Sequence, residues 1–257
     1  MLFRSALARE YGVLSVDTHN RVIRFNEKPK EPETVPGRPD IALASMGIYI
    51  FNADLLDSML TNDAAQQASA HDFGKNIIPT ALESRAVYAF EFQDVRTKAQ
   101  AYWRDVGTLD AYYEANMELV HVRPELNIYD DGWPIWTYQL QRPPAKFILD
   151  DPSTGRVGSA INSMVSAGCI ISGANVRSSL LFSDVRVEER STVEHSVLLP
   201  RVSIGRGCVI RRAILDEGCI VPDDMQIGVD AYNDASRFEV TEKGVVLVTP
   251  QMLQALA

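Results

Sequence analysis

The feature that most constrains the fold is a six-residue repeat of aliphatic side chains in the C-terminal part of the chain. The repeat positions are Val165, Ile171, Val187, Val193, Leu199, Ile204, Ile210, Leu215, Val221 and Ile227, with register slips near 176–187, 199–204 and 210–215. An amphipathic helix cannot repeat at six, because its faces recur at three, four and seven. A β-sandwich, the alternative, would alternate at two. Hexapeptide repetition is typical of a β-helix, so we predict one over residues 161–257.

The residues before this repeat have a different pattern, in which strands alternate with helices. We predict a hairpin from 13–16 and 21–25 around the turn at 17–20, and further strands over 44–51 and 87–92. Asn52 or Asp54, Asp72 and Thr108 are expected to cap the helices that follow. This order predicts an α/β domain over residues 1–125. The prolines and polar residues of 126–160 indicate a linker.

Composition limits the partners and the compartment. The net charge is −9 over 257 residues, which makes a nucleic-acid surface or an anionic membrane an improbable partner. No apolar run approaches the roughly 20 residues that span a bilayer. The three cysteines, Cys169, Cys208 and Cys219, are odd in number and lack metal-ligand spacing. We therefore expect a cytoplasmic protein whose cysteines are buried within the repeats and have no chemical role.

Longer motifs carry a family resemblance. The blocks FNEKP, LASMGIYIFNADLL, HDFGKNIIP, YWRDVGTLDAYYEANMEL and NIYDDGWPIWTY occur in this order. They resemble the C-terminal three-fifths of the bacterial ADP-glucose pyrophosphorylases, also called glucose-1-phosphate adenylyltransferases. The resemblance implies a partial Rossmann-like nucleotidyltransferase domain followed by a left-handed parallel β-helix. It also implies transfer of an adenylyl group from ATP to glucose 1-phosphate in glycogen biosynthesis, by an allosteric homotetramer that uses Mg²⁺.

The resemblance assigns a role to the acid–base pair that ends the hairpin. On the residues alone, Glu27 and Lys28 could be solvated charges at a strand end, with Pro29 keeping Lys28 out of the helical region. In the family, the lysine of this block contacts the sugar phosphate and is catalytic, and the glutamate accepts hydrogen bonds from glucose hydroxyls. Such charge-assisted bonds suit both groups.

Further site residues are implied by the same resemblance. Ser45, Asp72 and Phe73 match sugar-pocket positions, although Ser45 could be packed in a strand and Asp72 could be only a helix cap. Asp105 matches the catalytic aspartate that binds Mg²⁺, which commonly takes one or two carboxylates with phosphate oxygens and water. Trp103 beside it is expected to be a pocket wall or local core. Tyr49 is expected to be packing.

Part of the family pattern is not found in this sequence. Relatives have a Gly-rich loop of the form G-G-x-G-T-R-L that cradles the ATP phosphates, and no such loop occurs here. We therefore expect most of the ATP site and a second metal carboxylate to be absent, and the chain alone to be inactive. Residues 1–5 do not look like the family continuing upstream, so we expect a truncated or misassembled start.

Two other functions remain open at this stage, together with the question of regulation. A non-catalytic regulatory subunit could dispense with the ATP-binding half. A hexapeptide-repeat acyltransferase would need a histidine base, for which His195 is the candidate. The segment 249–254 lacks the basic residues expected for a bisphosphate activator. Lys146, Arg211 and Arg212 could face an effector cleft or be solvated charges.

Overall fold

A computed structural model describes residues 2–4, 8–94, 96–97, 99–138, 140–148, 150–151 and 153–256. The chain divides into two compact units between Tyr102 and Trp103, and each unit is described by itself. The predicted division into 1–125, 126–160 and 161–257 stays a prediction. No helix within the described ranges has the length and apolar character needed to cross a membrane.

The first unit contains a four-stranded sheet. Its strands are β1 (Leu2–Arg4), β2 (Gly12–Val16), β3 (Val22–Glu27) and β4 (Ile41–Ala44), in the order β1-β4-β2-β3 with antiparallel pairing throughout. A 3-10 turn at Ala8–Glu10 precedes β2. The β2–β3 hairpin confirms the prediction, and the Asp17 carboxylate accepts hydrogen bonds from the backbone N–H groups of His19 and Arg21. Leu2 pairs with Leu43, so β1 is part of this sheet.

The helices of the first unit follow the sheet. They are α1 (Ala53–Ala64), a π-helical turn (Phe73–Ile77) and α2 (Ile78–Ser84), which continues directly from that turn. The predicted Asp72 cap is confirmed, because its carboxylate accepts the Lys75 N–H at 2.8 Å. Asn52 precedes α1 but forms no side-chain cap. The sheet packs through a buried core of Val16, Val22 and Leu43.

Two predicted strands of this unit were largely wrong. Of the segment 44–51, only Ala44 lies in a strand, and Ile48 and Ile50 are 69% and 99% exposed. Of 87–92, only 87–89 lie beside the hairpin, with Tyr88 bridging Arg21, whereas Phe90 is 86% exposed. Both segments have strand-forming composition, but a strand also needs a neighbouring backbone. The described part of the chain supplies no strand partner for residues 46–51 or 90–92.

The second unit is a parallel β-solenoid, as predicted. Three sheets of short strands, ordered β19-β16-β13-β10-β5, β20-β17-β14-β11-β8 and β21-β22-β18-β15-β12-β9, form its sides. Its strands, with the hairpin β6–β7, are β5 (Lys146–Ile148), β6 (Asp150–Asp151), β7 (Arg156–Val157), β8 (Ser159–Ile161), β9 (Met164–Val165), β10 (Ile170–Ser172), β11 (Asn175–Arg177), β12 (Leu180–Leu181), β13 (Arg186–Val187), β14 (Thr192–Glu194), β15 (Val197–Leu198), β16 (Ser203–Ile204), β17 (Val209–Arg211), β18 (Ala213–Leu215), β19 (Ile220–Val221), β20 (Gln226–Ile227), β21 (Glu239–Val240) and β22 (Val246–Val248).

The repeat positions form the solenoid core, with one shift in register. Ile171, Val187, Ile204 and Val221 stack in successive coils and are buried. Leu199, which the repeat placed inside, is only half-buried outside this core, and Leu198 takes the inward position. The three cysteines are free and buried, as expected. Burial raises the pKa of each thiol, that of Cys219 to about 12, so none is a reactive thiolate.

Helices flank the solenoid in the same unit. Helix α3 (Leu109–Glu118) is capped by Thr108 as predicted, whereas α4 (Ala231–Arg237) and α5 (Pro250–Gln254) follow the repeats. The buried residue of α3 is Tyr113, which the sequence analysis missed. Its hydroxyl donates to the carbonyl of His195 at 2.6 Å. Burial raises the pKa of the Tyr113 phenol above its ordinary value.

The basic residues considered for an effector cleft have structural contacts. Arg211 pairs with Glu194 at 3.1 Å. The Arg212 guanidinium lies 5.5 Å from the centre of the Tyr113 ring and donates through Nε to the Lys243 carbonyl. Arg212 therefore contacts helix α3, whereas Arg211 forms an ion pair between neighbouring strands of the solenoid. Lys146 is exposed at the start of β5.

Candidate functional site

The strand end at Glu27 and Lys28 has an unusual backbone. Glu27 is the last residue of β3, and Lys28 follows with a φ of 46°. This conformation is outside the right-handed helical region, as predicted, but it is left-handed and not the extended conformation that a following proline favours. A non-glycine residue in the left-handed region costs about 1–2 kcal/mol. The Lys28 N–H donates to the Tyr11 carbonyl at 3.1 Å, which ties this conformation to the segment before β2. Both side chains are exposed. Such local strain is typical of functional positions.

Two predicted sugar-pocket carboxylates converge on Gly74. A Cβ atom on Gly74 would lie 3.0 Å from Oε2 of Glu27 and 3.3 Å from Oδ1 of Asp72. On the other side, a Cβ on Gly12 would lie 2.8 Å from the same Glu27 oxygen. The two glycines leave room for the Glu27 carboxylate, which has no hydrogen-bond donor among the described residues. Ionised carboxylates only accept hydrogen bonds, so this arrangement suits a ligand rich in hydroxyl groups.

Ser45 and Phe73 are joined through Tyr49. The Ser45 and Tyr49 hydroxyls are 3.0 Å apart, and the rings of Tyr49 and Phe73 stack with centroids 5.6 Å apart at 12°. The Ser45 N–H donates to the Gly12 carbonyl at 2.7 Å, which connects this group to the glycine beside Glu27. Tyr49 packs against Phe73 as expected, but its hydroxyl also forms a hydrogen bond with the Ser45 hydroxyl. The structure thus brings together the predicted pocket residues of the first unit.

Trp103 and Asp105 lie in the second unit. Trp103 is half-buried, and Asp105 is exposed with Oδ1 accepting the Gly107 N–H at 3.0 Å, just before the Thr108 cap of α3. Among the described residues, no three His, Cys, Asp or Glu side chains form a cluster that could hold a metal. A single exposed carboxylate such as that of Asp105 is a group that can supply one ligand to a divalent cation.

His195, the candidate base of the alternative acyltransferase, is at a corner of the solenoid. Its φ is 47°, and its backbone carbonyl accepts the Tyr113 hydroxyl. No described residue hydrogen-bonds to its imidazole ring, although a catalytic histidine is normally oriented by a partner. The observed role of His195 is to hold α3, which does not support acyl transfer.

Comparison with known protein families matches both parts of the chain. The family described as "Nucleotidyl transferase" matches residues 1–121, and the family described as "GlmU-like, C-terminal hexapeptide" matches residues 143–248. The first match begins at residue 1, so residues 1–5 do resemble this family, contrary to our expectation for that segment, whereas the expected truncated start stays a prediction.

Curated relatives are similar over nearly the whole chain. Glucose-1-phosphate adenylyltransferases of Methylobacillus flagellatus and Nitrosococcus oceani are 55% and 57% identical over 96% of this chain. The enzyme of Methylococcus capsulatus is 54% identical over the same share. In each case the chain spans 58% of the relative's length.

Proposed function

Because the chain belongs to the bacterial glucose-1-phosphate adenylyltransferase family, we propose that it carries the glucose 1-phosphate side of that active site. The complete reaction would form ADP-glucose and pyrophosphate from ATP and glucose 1-phosphate. The observation that carries this proposal is the convergence of the Glu27 and Asp72 carboxylates on Gly74, beside the group of Ser45, Tyr49 and Phe73.

Each side chain has a role that follows from its chemistry. Lys28 is a compact cation on a fixed backbone and would bind the sugar phosphate. Glu27 and Asp72 would accept hydrogen bonds from glucose hydroxyls, and the Phe73 ring would cover an apolar face of the sugar. Asp105 would hold Mg²⁺, which supplies charge neutralisation at the phosphates. Phosphoryl-group chemistry of this kind depends mainly on positioning and electrostatic stabilisation.

We also propose that this chain by itself does not form ADP-glucose. The sequence contains no Gly-rich loop for the ATP phosphates, and its glycine pair Gly205 and Gly207 flanks Arg206 at a solenoid corner. A non-catalytic subunit of the same enzyme is the second candidate, favoured by that same observation. A homo-oligomer formed through the solenoid is proposed from family membership, since stacked coils leave end surfaces to be covered. Light scattering after size-exclusion chromatography measures this directly.

The test of the sugar site is direct binding of glucose 1-phosphate to the purified chain, measured by NMR titration. Lys28→Ala should weaken binding by at least about tenfold, because it removes a charge-assisted contact. Lys30→Ala is the matched control, since Lys30 is an exposed lysine two residues away; it should change the dissociation constant by less than about twofold. Equal effects of the two substitutions would contradict the assignment of Lys28.

Catalysis is tested separately with ATP, glucose 1-phosphate and Mg²⁺ in a preparation free of host enzyme. We expect no ADP-glucose from the chain alone. Formation of ADP-glucose would refute the proposed inactivity but not the sugar site. Co-purification with a full-length homologue, combined with altered kinetics of that homologue, would favour the non-catalytic subunit.

A further inference from the structure

Two residues of the connection between α1 and the π-helical turn, Ser69 and His71, bind the side chain of Asp63 in α1. The Asp63 carboxylate, in the last turn of α1, accepts a hydrogen bond from Ser69 Oγ at 2.6 Å through Oδ1. Its Oδ2 lies 2.8 Å from Nδ1 of His71. The backbone N–H of His71 donates a hydrogen bond to Ser69 Oγ at 3.0 Å, so each of the three residues contacts the other two. We call these three residues the Asp63 clasp.

Charge strengthens the clasp. The hydrogen bond from Ser69 lowers the pKa of the Asp63 carboxyl below its ordinary value, and the hydrogen bond from His71 lowers it further. The ionised carboxylate only accepts, so Nδ1 of His71 carries the proton that it donates. This fixes the orientation of the imidazole ring, as in other carboxylate–histidine pairs.

The clasp also holds a backbone conformation that is otherwise unfavourable. His71 has a φ of 54°, in the left-handed region that L-residues rarely adopt. Conformations of this kind persist when surrounding contacts determine them. Here the contacts are the two bonds made by His71, to Ser69 through its N–H and to Asp63 through its ring.

The residue after the clasp begins the candidate sugar site. Asp72 follows His71 directly, with one carboxylate oxygen accepting the Lys75 N–H and bordering Gly74. Phe73 comes next, and its ring stacks on Tyr49. The direction in which the chain leaves His71 therefore sets where the Asp72 carboxylate and the Phe73 ring lie.

We propose that His71 is a positioning residue, which, through Asp63 and Ser69, fixes Asp72 and Phe73 for binding of the sugar phosphate. This inference rests on the proposed function and assigns a role to three residues outside the predicted site. His71 acts through its neighbours, and no contact of His71 with substrate is required.

The first test is the dissociation constant of glucose 1-phosphate in variants that separate side chain from backbone. His71→Ala loses the ring and keeps the unfavourable φ, whereas His71→Gly loses the ring and relaxes the backbone. We expect His71→Ala, His71→Gly and Asp63→Ala each to weaken binding about tenfold, because each removes the hydrogen bond between the His71 ring and the Asp63 carboxylate. His71→Asn retains an N–H donor and tolerates left-handed φ, so it should recover most of the affinity. Asn20→Ala, at φ 60° in the hairpin turn, is the matched control for strain and should bind normally.

The second measurement needs no ligand and tests whether the clasp fixes the Asp72 segment even if the unaltered chain fails to bind sugar phosphate. Amide hydrogen exchange reports the Lys75 and Asn76 N–H groups, which are bonded to the Asp72 carboxylate and carbonyl. Exchange at both should accelerate about tenfold in His71→Ala and Asp63→Ala, but not in Asn20→Ala. Unchanged exchange rates at Lys75 and Asn76 in His71→Ala and Asp63→Ala would refute the inference that the clasp fixes this segment. Normal binding in both variants would overturn its role in the site, whereas absent binding by the unaltered chain would refute the proposed function instead.

Discussion

Gly228 and Gly218 are solenoid corner residues with the same φ of +74° but different surroundings. A Cβ on Gly228 would lie 1.7 Å from the carbonyl oxygen of Arg211, whereas nothing lies within 4 Å of a Cβ on Gly218. Alanine at either position would adopt the same unfavourable left-handed φ. Only at Gly228 must the backbone of the preceding coil also move, so the pair separates conformational strain from steric exclusion.

The expected magnitudes follow from these two terms. A left-handed φ costs an alanine residue about 1–2 kcal/mol. Alanine also lowers the conformational entropy of the unfolded chain, which offsets about 0.4–1 kcal/mol of this cost. Gly218→Ala should therefore lower the free energy of unfolding by about 1 kcal/mol. Gly228→Ala carries a further overpacking cost of about 1–3 kcal/mol, giving a loss of about 3 kcal/mol.

The assay is thermal denaturation followed by circular dichroism, with urea unfolding in parallel. With about 2–4 °C per kcal/mol for a chain of this size, Tm should fall by about 3 °C in Gly218→Ala and by about 9 °C in Gly228→Ala. Equal decreases in Tm in the two variants would show that the Arg211 carbonyl moves without a measurable loss of stability, and would refute the steric argument.

Three further predictions address helix docking, the exposed apolar segments and the clasp carboxylate. Tyr113→Phe should reduce the unfolding free energy by about 0.5–1.5 kcal/mol, because it removes the hydrogen bond from the Tyr113 hydroxyl to the His195 carbonyl. Tyr232→Phe, on an 89% exposed ring, should have no effect in the same urea titration. Ile50→Ser should raise the protein concentration at which light scattering detects aggregates, since it removes an exposed apolar side chain; unchanged scattering would contradict this. The Asp63 carboxyl should titrate below pH 3.8 by NMR and move upward in Ser69→Ala, so its stabilising contribution is present above pH 3.8 and lost as pH falls through the lowered pKa.

The solenoid could be predicted from sequence because its determinant is local. Each side of a coil needs one inward aliphatic residue, and that requirement recurs along the chain whatever surrounds it. The sequence predicted the exact register of the inward-facing residues less accurately. Coil corners such as Asn162, Ser178, His195 and Arg212 fall 16 or 17 residues apart, whereas three repeats of six would give about 18, so a strict period of six drifts by one or two residues per coil. The drift explains why Leu199 was predicted inside in place of Leu198.

The α/β unit was predicted less accurately because a strand is defined by its neighbour. The pattern of residues 44–51 is typical of a buried strand, yet pairing stops at Ser45, whose N–H reaches the Gly12 carbonyl. Composition carries no information about whether a second backbone is present. The helix caps at Asp72 and Thr108 depend only on residues three positions away, and both were predicted correctly.

Proximity within the candidate site was beyond the sequence pattern alone. Asp72 is close to Gly74 in the sequence, but Glu27 is distant in the chain, and only the fold brings its carboxylate to Gly74. The family resemblance supplied their shared role, but not the link from Ser45 through Tyr49 to Phe73. The clasp was missed because Ser69 and His71 resemble ordinary loop residues until the position of Asp63 is known.

The division of the chain into units has a consequence for Asp105. This residue belongs to the solenoid unit, in the segment that leads into α3. Helix α3 is fixed to the solenoid by Tyr113 on His195, by Asp110 accepting from Thr241 at 2.6 Å, and by Glu114 pairing with Lys243 at 2.7 Å. If Asp105 holds Mg²⁺ as proposed, its position is determined by solenoid packing. Substitutions at the α3 contacts would then affect metal binding while leaving the sugar residues of the first unit intact.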